Sequence, residues 1–139
     1  MRGIVQKKVS LELIDRQELQ RLQDDFCRVA GVCAYCLDGE GMQITERSGK
    51  AEQLRQTEGY LVSAQLKSVC ERVEAGSLED QAVEEFHDTK DKVAAVAVRA
   101  EGRTVLCWVI FELAEDGIEE EAFLSVLDLL RDASNAFIE

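Results

Sequence analysis

The chain of 139 residues is 46% hydrophobic and 32% charged, which suits one ordinary domain able to bury a core of its own. Its 16 Lys and Arg face 28 Asp and Glu, a net charge of −12. The excess lies in residues 71–139, with 6 basic and 18 acidic groups against 10 and 10 in residues 1–70. Nucleic acid and anionic membrane surfaces both need clustered cations, so neither is an expected partner.

The start of the chain mixes charge and apolarity without a secretory pattern, and the longest apolar run, Val105–Phe111, is far short of the ~20 residues that span a bilayer. Five cysteines, an odd number, then suggest reduced thiols and a cytoplasmic location. The chain has no Pro, so Gly, Asp and Ser must set its turns.

Residues 1–14 form an N-terminal arm, extended or helical, within a single domain spanning 1–139. Asp15 is placed to cap a helix, with Glu18 three residues on and Ile14 and Leu19 as a hydrophobic staple. Leu19, Leu22, Phe26 and Val29 then mark one helical face, and Gly31 ends it. Val32–Leu37 and Met42–Thr45 flank Asp38-Gly39-Glu40-Gly41 and predict a hairpin.

Residues 46–59 suit short helical turns. Val62, Leu66, Val69 and Val73 predict a middle helix ended by Ala75-Gly76, with Ser77 capping one more turn. Three strands follow at Val83–His87, Lys92–Arg99 and Arg103–Leu113. The last is apolar on both faces and should be central. Ile118–Ile138 is an amphipathic helix opened by acids that suit its dipole. Phe123, Val126, Leu130, Ala133 and Phe137 trace two heptads of a coiled-coil seam, a dimer helix, unless that stripe packs on the chain's own sheet. The helix has no stop signal, as though it led into an output domain. The expected fold class is α+β, with a five-stranded, mainly antiparallel sheet in the order 2-1-5-4-3 and N-terminal, middle and C-terminal helices.

Few residues point to chemistry. Cys33-Ala34-Tyr35-Cys36 is a CxxC, but in a strand its two thiols point to opposite faces, and nothing completes a zinc set. Core cysteines are the expectation, with no metal site. Glu84 and Glu85 likewise diverge, so paired-carboxylate catalysis is not indicated. Small Ala95 and Ala97 near Trp108 either let a helix approach closely or leave a ligand pocket lined by Trp108 and Tyr35. No cofactor is specified and no enzyme is expected.

Ser10–Phe26, with Gly31-Val32 and Leu37–Thr45, resembles the opening helix and hairpin of PocR-type sensory domains, a PAS-like family. Val93–Val98, Gly102 and Val105–Phe111 resemble the last two strands of PAS and GAF sensors. The family's Cys/His-rich segment is missing here. The resemblance implies a PAS-like (profilin-like) sheet and a sensor domain in signal transduction. Such a domain binds a small-molecule ligand and relays a shift through its terminal helix, commonly as a homodimer. Some PAS domains hold haem through a histidine. His87 is the only histidine here, and a surface or hydrogen-bonded role is the simpler one. The alternative is a roadblock-like module for protein–protein interaction and dimerisation, with a similar element order, a solid core and a sheet continued across a dimer.

Overall fold

The computed structural model describes residues 16–74, 79–116 and 119–135. The arm at 1–14, the Asp15 cap, Ser77, Ile118 and Phe137 lie outside the described residues. In chain order the elements are helix α1 (Arg16–Ala30), strand β1 (Cys33–Asp38), short helix α2 (Ala51–Thr57), a 3₁₀ turn (Glu58–Val62), helix α3 (Ala64–Arg72), strands β2 (Gln81–Glu85), β3 (Lys92–Ala100) and β4 (Arg103–Glu112), and helix α4 (Glu120–Asn135).

The four strands form one antiparallel sheet in the order β1-β4-β3-β2. β4 lies between β1 and β3, where a segment with no polar face must lie. The β3–β4 turn has positive φ at Glu101 (53°) and Gly102 (78°), the primed turn whose twist matches a tight hairpin.

The pleat divides the core in two. Ala34, Cys36, Ala94, Val96, Val98, Leu106, Trp108 and Ile110 face α1 and α4, joined by Leu19, Cys27, Phe123, Leu127 and Leu130. Cys33, Tyr35, Ala95, Ala97, Cys107, Val109 and Phe111 face the opposite way, under Leu66, Val69 and Val73. Ala95 and Ala97 are thus small on the side where α3 comes down onto β3. The chain is a three-layer sandwich, helices over both faces of one sheet.

The expected five-stranded PAS-like sheet in the order 2-1-5-4-3 is corrected here: the described residues hold four strands. Met42–Thr45 runs along the outer edge of β1 but makes only isolated bridges. Asp38 N donates to Met42 O at 2.8 Å and Ile44 N to Cys36 O at 2.9 Å. That register would bring Glu46 opposite Ala34, yet Ser48 stands there, exchanging both backbone bonds with Ala34 at 3.0 and 2.8 Å. Two extra residues are therefore looped out, and a ladder cannot run through them. The Thr45 hydroxyl accepts from Cys36 N at 2.8 Å and fills the gap.

The middle helix also begins later than its apolar spacing predicts. Ser63 is extended (ψ 154°) and its hydroxyl accepts from Leu66 N, so the helix starts there. Val62 is left before it, 91% exposed.

Within the β1 turn, Gly39 is required by a close approach. A Cβ there would stand 2.3 Å from the Thr104 carbonyl oxygen, which belongs to backbone and cannot rotate away. Gly39→Ala should therefore destabilise the fold by about 1–3 kcal/mol, read as a lower urea midpoint with unchanged slope.

Candidate functional site

The pocket expected between Tyr35 and Trp108 does not form. Tyr35 pairs with Val109 and Trp108 with Cys36, so the two rings leave the sheet on opposite faces. Trp108 is fully buried, and its Nε1 donates to Ser134 Oγ at 2.8 Å. Ser134 in turn donates to Leu130 O at 2.6 Å, so the indole N–H is satisfied from α4. Tyr35 is buried on the α3 side, and that burial pushes its hydroxyl up to about 12. Neither residue lines the surface grooves beside α1 or beside Tyr60 and Asp91.

The coiled-coil seam is spent on the molecule itself. In α4 the buried residues are Phe123, Leu127, Leu130 and Ser134. Phe123 and Leu130 of the expected dimer helix therefore face the chain's own sheet. Val126 is half-buried, Ala133 is exposed, and Phe137 lies outside the described residues. Leu129, on the outer face, is 68% exposed.

Cys33 and Cys36 belong to the two different cores. Burial raises the Cys36 thiol, the reverse of what a redox CxxC needs. Burial likewise pushes the Cys27 thiol up to about 12. His87 is exposed in the turn between β2 and β3. Among the described residues no group of three or more His, Cys, Asp or Glu is placed to hold a metal, and no helix is long and apolar enough to cross a membrane.

Among the described residues, β2 has one side that pairs with no strand. Ala97 N donates to Asp80 O, and Phe86 N donates to Asp91 O, both at 2.8 Å. In an antiparallel ladder this turns the backbone of Asp80, Ala82, Glu84 and Phe86 inward to β3. It leaves the N–H and C=O groups of Gln81, Val83 and Glu85 pointing away from the sheet. Edge strands are commonly guarded by Pro, bulges or charged side chains. This one has no Pro, and its register with β3 runs without a shift.

The acids on and beside this edge are held by groups of the same chain. Glu85 meets Lys90 at 3.6 Å, Asp80 meets Arg131 at 3.0 Å, and Glu84 accepts from Ser68 Oγ of α3 at 3.1 Å. Gln81 Oε1 is buried without a hydrogen-bond partner. The residue pattern of Gln81–Glu85 does mark a strand. Only the pairing of β3 with β4 makes it an edge, and pairing is not visible in composition.

No family model matches the chain. No curated protein matches it. Among solved structures, MglB of Myxococcus xanthus superposes with a TM-score of 0.50 at 13% identity, over 90% of this chain and 93% of that one. A roadblock/LC7 domain from Streptomyces avermitilis superposes with a TM-score of 0.53 at 14% identity, over 86% of this chain and 96% of that one. The fold is therefore of the roadblock/LC7 kind, and the resemblance to PocR-type and PAS sensor domains is corrected. The segments that carried that resemblance are a helix, a hairpin and two long strands, which both folds contain. Helices pack over both faces of the sheet.

Proposed function

We propose that this domain is a non-enzymatic protein–protein interaction module that pairs through the open edge of β2, with α3 alongside, and that it forms a homodimer in this way. The observation that carries the reading is the edge of β2 that no described strand pairs. Three residues present main-chain donors and acceptors outward, while nearby acids are held within the chain. Strand addition to such an edge takes its affinity from main-chain hydrogen bonds. The roadblock-type fold of the structural neighbours supports it. None of the five cysteines is in a disulfide, which suits a reducing compartment such as the cytoplasm.

Charge disfavours two registers. Pairing centred on Ala82 sets Glu84 of one copy against Asp80 of the other, and pairing centred on Glu84 sets the two Glu84 side chains face to face. Like charges directly opposite are destabilising. Pairing centred on Val83 avoids both, placing Gln81 opposite Glu85 and Ala82 opposite Glu84.

Val83→Pro tests the reading cleanly. The Val83 N–H points outward, so Pro removes one intermolecular donor and adds a ring on the pairing side without breaking a bond to β3. Light scattering coupled to size exclusion should find the wild-type chain dimeric and Val83→Pro monomeric, with the circular dichroism spectrum retained. A wild-type monomer at micromolar concentration, or a variant that stays dimeric, overturns it.

A further inference from the structure

We infer that the furrow between α1 and α4 docks one basic, amphipathic helix of a partner protein. This surface lies on a face of the sheet, away from the β2 edge, so it does not rest on the pairing proposed above. α1 packs over β1 and α4 over β3, which sets the two helices side by side across β4. Bonds at their outer flanks fix how each helix is turned. Gln20, Gln23 and Asp24 of α1 are bonded to Glu46 or Ser48, beyond the outer edge of β1. At about 100° per residue, Leu22, Phe26 and Val29 then fall on the other flank of α1, toward α4. Arg131 of α4 meets Asp80 beside β2 at 3.0 Å, which turns Val126 and Ala133 to the flank toward α1.

The furrow is apolar and largely open. Leu22 and Phe26 are half-buried against the core, and Val29 is 83% exposed. On α4, Ala122, Val126, Leu129 and Ala133 recur at spacings of 4, 3 and 4, one continuous stripe. Leu129 is 68% exposed, and both alanines are exposed. Parallel furrows between packed helices accept the side-chain ridge of another helix, and small residues such as these alanines let its backbone come close.

Charge decides which helix fits. Outward from its apolar stripe, α4 carries Glu121 and Asp132, both exposed. Outward from Leu22 and Val29, α1 carries Glu18 and Asp25. Arg21 and Arg28 stand behind these two and form surface ion pairs with them, each at 2.9 Å. Acids therefore rim the furrow on both sides, and a helix with Lys or Arg flanking an apolar stripe complements it. A second copy of α4 would bring Glu121 and Asp132 against the same acids, and an anionic membrane would meet the same repulsion.

The test titrates the full chain into a fluorescein-labelled peptide of 16 residues, the length of α4, and reads anisotropy. The peptide carries leucines at helical spacing along one face and lysines elsewhere. It should bind one per chain, and a peptide with glutamate in place of each lysine should not bind. Val29→Glu and Leu129→Glu, exposed on different helices, should each weaken binding about tenfold or more while keeping the circular dichroism spectrum. Val62→Glu, in the 3₁₀ turn before α3 and also exposed, should bind as the wild type does, which controls for the added charge. Val83→Pro should bind the peptide unchanged, so failure of strand pairing and failure of docking read separately. No binding by the wild-type chain, equal binding of the glutamate peptide, or a loss in Val62→Glu as large as in Leu129→Glu overturns the proposal. A fall in the mass of the peptide-free assembly on Leu129→Glu, read by light scattering, also overturns it and assigns the furrow to a second copy.

Discussion

Replacing Trp108 with alanine should cost about 3–5 kcal/mol, the range for removing a large aromatic from a packed core. Domains of this size hold about 5–15 kcal/mol in total, so the variant should be partly unfolded at physiological temperature. Three terms act together. The indole is fully buried, its contacts on the α1–α4 side include some of the largest enclosed side chains, and it is the hydrogen-bond donor to Ser134. Trp108→Phe separates them. It keeps most of the apolar area and loses the N–H with a smaller part of the ring volume, and Ser134 Oγ keeps its bond to Leu130 O, so the cost should fall to about 1–2 kcal/mol. Urea unfolding of both variants reads the difference. The experiment also distinguishes a core from a ligand pocket. A tryptophan lining an open pocket would lose little on truncation, whereas this one should bring the sheet down with it.

How much of this was legible in the residues depends on where each signal originates. β4 was legible because seven consecutive apolar side chains, Val105–Phe111, permit no solvent face anywhere along them. The β3–β4 turn was legible because Gly102 supports the positive φ it uses. The helix faces were read one step out of phase, for the same reason in each. In α1 the apolar series Leu19, Leu22, Phe26 and Val29 points to a stripe, but the buried residues are Leu19, Gln23 and Cys27, and Val29 is 83% exposed. In α4 the buried series ends on Ser134 rather than Ala133. Both stripes include a polar residue whose partner is remote in sequence, Thr45 for Gln23 and Trp108 for Ser134. Apolar periodicity assigns such residues to the surface, and only the assembled fold supplies their partners. The family was misread by the same mechanism. Helix, hairpin and paired strands are local features, whereas the covering of both sheet faces is set by contacts between distant segments.

Gln23 carries the second large expectation. It is fully buried in α1, and its amide makes three bonds to one segment. Nε2 donates to Glu46 O and to Ser48 Oγ, both at 2.6 Å, and Oε1 accepts from Thr45 Oγ1 at 2.5 Å. Its neighbours reinforce the seam: Gln20 Oε1 accepts from Glu46 N at 2.9 Å, and Ser48 Oγ donates to Asp24 Oδ1. The segment that might have been a fifth strand is thus held to β1 by only a few backbone bonds and to α1 by side-chain amides. Gln23→Leu keeps similar volume but leaves the buried Thr45 hydroxyl without its acceptor, which should cost about 1–3 kcal/mol. The loss should also be local. Hydrogen exchange should show the amides of Ile44 and Ser48, both bonded to β1, losing protection, while Val96 and Val109 in the central strands keep theirs. Ladder pairing strong enough to hold the segment alone would leave Ile44 and Ser48 protected in the variant. Gln20→Ala removes a half-exposed contributor to the same seam and should weaken that protection far less, because Gln23 still spans Thr45, Glu46 and Ser48.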